Sequence, residues 1–187
     1  MKKGKIGCLV VVLLFAGALI FGVSQLIQNP EKYGAIPTSK MTLKEFDSKS
    51  WEQYKTIYDA HNKLMNAMND YSNGKGSKLD FYNYCKNAEE YFRNLSTNFD
   101  YGSTNDEKTY LSVFEKLVLS DQLAAKNLMK YLDTSEIKYL STAKEQIQSA
   151  SDAAIMIASN RTKLLKDAGY TSEEITKIIE NISNELK

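Results

Sequence analysis

Proline, histidine, tryptophan, arginine and cysteine are all scarce in this chain of 187 residues, and each shortage excludes something. The two prolines, Pro30 and Pro37, both precede residue 42, so everything beyond lacks the residue that most strongly breaks helices. The two cysteines, Cys8 and Cys85, cannot build a disulfide scaffold, which leaves packing to hold the fold. The single histidine, His61, falls within about one helical turn of Cys85 in the expected register. That pair lacks the further ligands tetrahedral zinc requires, so neither metal nor cofactor is expected. Alternating strand patterns, internal repeats, paired carboxylates at catalytic spacing and the Glu-x-x-His pair of di-iron bundles are likewise missing, which argues against an enzyme.

Of the 24 basic residues only Arg93 and Arg161 are arginine, and Asn and Tyr are abundant, a bias typical of an AT-rich bacterial or phage genome. Three lysines (Lys2, Lys3, Lys5) precede the first apolar run; without them 21 basic residues face 23 acidic ones. A nearly neutral remainder has no basic face to follow a phosphate backbone, so nucleic acid is not an expected partner.

What is present begins with Ile6 to Ile27, a run of 22 residues without a charge. As a helix it measures about 33 Å, enough to cross a hydrocarbon core of about 30 Å. The lysines ahead of it and the cancelling Glu31 and Lys32 behind it orient the span by the positive-inside bias. The expected organisation is a cytoplasmic basic tail (1–5), a transmembrane helix (6–28), a linker (29–41) and an extracytoplasmic helical bundle (42–187). A cleaved secretory signal is the rival reading, but its small-residue sites are poorly placed. Ala18 and Gly22 form a small-xxx-small pair through which two spans could associate.

The fold class read from the remainder is all-α: an antiparallel bundle of two long helical hairpins plus a short C-terminal helix. Capping boxes at Thr42/Glu45, Ser50/Gln53, Ser77/Asp80, Thr104/Glu107, Asp133/Glu136 and Thr171/Glu174 mark helix starts, and Gly74, Gly102 and Gly169 mark breaks. A first hairpin turning about Gly74 sets Trp51, Tyr54, Tyr58 and His61 opposite Phe99, Leu95, Tyr91 and Ala88. A second, turning about Asp133, brings Asp121, a lone carboxylate on an apolar stripe, level with Lys144. A semi-buried Asp121–Lys144 ion pair is therefore expected to set the hairpin register.

Tyrosine is plentiful, with 12 copies. Tyr82, Tyr101, Tyr110, Tyr131 and Tyr139 are not all required by the seams, which makes them candidate interaction aromatics. The expected function is a membrane-anchored, non-enzymatic interaction or adaptor module at the bacterial cell envelope. Its partners would be the lipid bilayer and an envelope or surface protein. The alternatives are a secreted or anchored binder of cell-wall glycan and an immunity or superinfection-exclusion factor.

Overall fold

The computed structural model describes residues 41–185, with side chains through Ile179. The basic tail, the apolar run with Ala18 and Gly22, and the linker as far as Lys40 lie outside the described residues. Among the described residues no helix is long and apolar enough to cross a membrane, and every element is helical. The elements are α1 (Leu43–Ser72), α2 (Lys78–Leu95), α3 (Asn105–Thr134), α4 (Ile137–Asp167) and α5 (Ser172–Glu185).

Local chemistry accounts for most of the helix ends. Thr42, Ser77 and Thr104 each accept from the backbone N–H three residues on, while the acid at that position reaches back to the cap. Thr171 and Glu174 exchange the same pair of bonds before α5. These reciprocal bonds satisfy N–H groups that a helix start leaves without a partner. Gly74 and Gly169 stand at φ 74° and 88°, left-handed values that glycine adopts without steric cost, and they close α1 and α4.

Two expected starts are corrected. Ser50 does not begin a helix: it lies inside α1, buried, with its hydroxyl donating to the Asp47 carbonyl at 3.1 Å. Asp133 does not begin α4 either, because α3 runs on through Thr134. Ser135 takes the left-handed turn at φ 60°, and Glu136 caps α4 without a side-chain bond. Moving the turn from Asp133 to Ser135 slides the facing positions by about one helical turn. Ser120 consequently donates to Ser149, at 3.3 Å.

The four long helices alternate in direction. Glu89 accepts from Gln122 between α2 and α3, and Ser120 meets Ser149 between α3 and α4. The most extensive packing joins α3 to α4, then α2 to α3, with α1 touching all three and α5 resting on α4. Within α3 and α4, Ala124, Ala125, Ala143, Ala150 and Ala153 are fully buried. Side chains this small bring helix backbones close together. Larger groups fill one end of the bundle, where Phe46, Tyr101, Tyr110 and Phe114 pack ring against ring.

The α1–α2 hairpin forms about the expected turn, but its seam uses a different edge of α1. Gln53 donates to the Asn98 carbonyl at 3.3 Å, and Tyr71 stacks on Phe81 at 4.6 Å between centroids. The stripe expected to face α2 turns inward instead. The Tyr54 ring meets Phe114 of α3 edge-on, and its hydroxyl donates to the Ala154 carbonyl of α4 at 3.5 Å. A helix with three neighbours carries apolar residues on adjacent rows, and matching two stripes in register does not say which row meets which neighbour.

Candidate functional site

Two polar assemblies interrupt the apolar core. In the first, α1, α3 and α4 bring His61, Asp121 and Ser151 together. The His61 Nδ1–H donates to both oxygens of Asp121, at 2.9 and 3.1 Å, and Nε2 lies 3.2 Å from the Ser151 hydroxyl. That hydroxyl also lies 3.0 Å from the Ile147 carbonyl of its own helix. It has one proton for two acceptors unless the ring carries a second proton, in which case Nε2–H donates to Ser151 and Ser151 to Ile147. The order Ser, His, Asp is that of a nucleophilic triad, but the surroundings are not. Asp121 and His61 are sealed at 0% and 2% exposure. Ser151 sits mid-helix, where the backbone N–H groups are bonded to carbonyls one turn back, so none is free to stabilise an oxyanion.

The expected Asp121–Lys144 pair is thereby corrected. Lys144 is exposed, and Asp121 pairs with His61, because the shifted turn takes Lys144 away and the inward stripe of α1 brings His61 in. Two polar residues, one on an apolar stripe of α1 and one on α3, were the signal that could have joined them. With both ring nitrogens engaged, His61 has no lone pair aimed at Cys85. That thiol is buried and pushed up to about 12 by burial. Among the described residues no group of three or more His, Cys, Asp or Glu could hold a metal ion.

Burial raises the Asp121 carboxyl above its ordinary 3.8, against the opposing pull of the His61 hydrogen bond and charge. A raised value in the folded state means that protonation favours the fold. The contribution from Asp121 is therefore full below pH 3.8 and drains away as pH climbs through the raised value. Glu45, Asp80 and Glu174 are lowered by their cap bonds and act in the opposite sense. The difference between wild type and Asp121→Asn isolates the buried group. The expected result, read by urea melts from pH 4 to neutrality, is that wild type loses stability relative to the variant as pH rises. Parallel profiles would contradict it.

The second assembly ties α1 to α4. Arg161 donates through Nε and Nη2 to the two oxygens of Asp47 at 2.7 and 2.8 Å, and its guanidinium lies 4.2 Å over the Trp51 ring. Arg161 and Trp51 are each 7% exposed, yet the third guanidinium nitrogen, Nη1, and the indole Nε1 have no hydrogen-bond partner. Both side chains line a groove of about 360 Å³ whose other walls include Ile155, Ala158 and Leu165 of α4 and Ile175 and Ile178 of α5. Ile155 at its edge is 71% exposed and Ile179 47%. A second cleft of about 410 Å³ lies between α1 and α2. It is flanked by Asp59 and Lys63, which satisfy each other at 2.6 Å.

None of the five tyrosines singled out from the sequence lines the groove. Tyr110 is buried at 2% exposure, which corrects its place among the candidate interaction aromatics, because its ring completes the cluster around Phe46 and Phe114. Tyr101 donates to Gln53 and is covered by Lys49, and Tyr139 lies beneath Lys130 and Lys138. Tyr82 and Tyr131 are half-buried against the core. The groove was hinted at in the sequence by Ile155, an aliphatic residue off the apolar row Ile147, Ala150, Ala154 and Ile157 of α4, and by Arg161, a charge upon that row. Comparison with known proteins finds no match to a family model, a curated protein or a solved structure.

Proposed function

We propose that the protein is a membrane-anchored, non-enzymatic interaction module at the cell envelope, and that its bundle docks a partner protein through the groove formed by α1, α4 and α5. The observation that carries this reading is the groove itself: aliphatic walls that end in the exposed Ile155 and Ile179. A cleft with apolar walls and few polar groups is the ordinary form of a binding site, and amphipathic helices are common occupants of such clefts. The anchor is supported by the uncharged run before the bundle and the lysines ahead of it.

A photoreactive residue placed at position 155 of the full chain in cells tests the docking face. The expected result is one defined adduct that Ala158→Phe abolishes and that the same probe at exposed Lys126 does not form. Equal labelling from both positions would dismiss the groove as the docking face. The topology has its own test. An epitope after Lys187 should stay with the membrane and be degraded by protease added to intact cells, and a protected tag would reverse the assignment.

A further inference from the structure

We propose that the groove recognises an aliphatic polypeptide segment bearing an uncharged main-chain carbonyl, in its best form the C-terminal turn of a partner helix. This deepens the docking reading and rests on it. Trp51 and Arg161 are each more than nine-tenths buried, each line the groove, and each hold one donor without an acceptor, Nε1 and Nη1. Buried donors are nearly always paired, so two of them, in stacked side chains that both line the groove, mark where an acceptor belongs. Asp47 already takes the other two donors of Arg161 at 2.7 and 2.8 Å, which leaves a neutral pair. A carboxylate entering there would meet a second carboxylate with no spare positive charge, whereas a carbonyl brings the acceptor without the repulsion.

The remaining walls, Ile155, Leu165, Ile175 and Ile178, ask for aliphatic side chains beside that carbonyl. A helix C-terminus supplies both, because its last four carbonyls have no partner within the helix. Both donor atoms are closed off from solvent, so engagement requires Trp51 and Arg161 to rotate toward the groove. Trp51 is the only tryptophan in the chain, and its emission reports that rotation directly.

The test titrates the full chain, held in phosphatidylcholine nanodiscs, with the capped tripeptide acetyl-Leu-Leu-Ile-amide while Trp51 emission is followed. The expected result is a saturable shift at millimolar peptide, weakened at least about tenfold with the free-acid form of the tripeptide and lost in Ala158→Phe. Ala158 is exposed, so this variant fills the groove without disturbing the core, and an unchanged melting curve verifies that. Equal binding of the free acid, or an equal response to dodecane, would overturn carbonyl recognition and leave a plain apolar or lipid groove. No saturable shift also overturns the proposal. If the adduct from position 155 still forms in that case, the docking face survives without this ligand; if it does not, both readings fall.

Discussion

Replacing His61 with alanine is expected to cost the bundle about 3–5 kcal/mol at neutral pH, the range for leaving a buried charge without its partner. The size follows from what is left behind rather than from what is lost. Asp121 is 0% exposed and both its oxygens accept from the imidazole, so without the ring it keeps a charge that water cannot reach. The carboxyl escapes by taking a proton, which its raised value already favours, so the loss should shrink toward pH 4. Urea melts followed by helical circular dichroism at both pH values measure this. A His61→Leu, Asp121→Leu double variant should recover most of the loss, since an apolar pair of similar volume leaves no stranded charge. A double variant as unstable as His61→Ala would show that the polar relay itself holds the three helices together.

Arg161→Ala should be the next most damaging change, costing about 2–4 kcal/mol. Three contacts disappear together: the paired bonds to Asp47 at 2.7 and 2.8 Å and the guanidinium over Trp51 at 4.2 Å. The side chains of Asp47 and Arg161 are 14% and 8% exposed, so some solvent reaches the abandoned carboxylate. That keeps the loss below the fully sealed case of Asp121. The same melts give the stability, and Trp51 emission should shift to the red as the ring loses its cover. Asp47→Leu combined with Arg161→Met should restore stability without restoring the emission of wild type. Unchanged emission in Arg161→Ala would mean that the guanidinium does not cover the indole.

Both predictions concern residues that stand out in the sequence one at a time and acquire partners only in the fold. Asp121 was visible as a carboxylate on an apolar stripe, and His61 as the lone histidine on another. The expectation of Lys144 came from a turn placed at Asp133, where a Ser/Thr/Asp-x-x-Glu pattern reads as a capping box. Ser135 in a left-handed conformation took the turn instead, and the facing residues moved with it. Local cap chemistry is reliable where a break such as Gly74 or Gly169 accompanies it. It misleads where a helix can simply continue, as α1 does through Ser50 and α3 through Asp133.

Sequence alone determined that the described chain is helical, where most of its helices begin, and that consecutive helices return on one another. Those properties arise from hydrogen bonds and apolar periodicity within a few turns, and the residues responsible are neighbours along the chain. Tertiary structure decided which rows of α1 face α2 and which face α3 and α4, that His61 and not Lys144 answers Asp121, and that Trp51, Arg161 and α5 enclose a groove. Each of these depends on helix rotation and on a shift of about one turn in register. Contacts summed over all the helices at once set both.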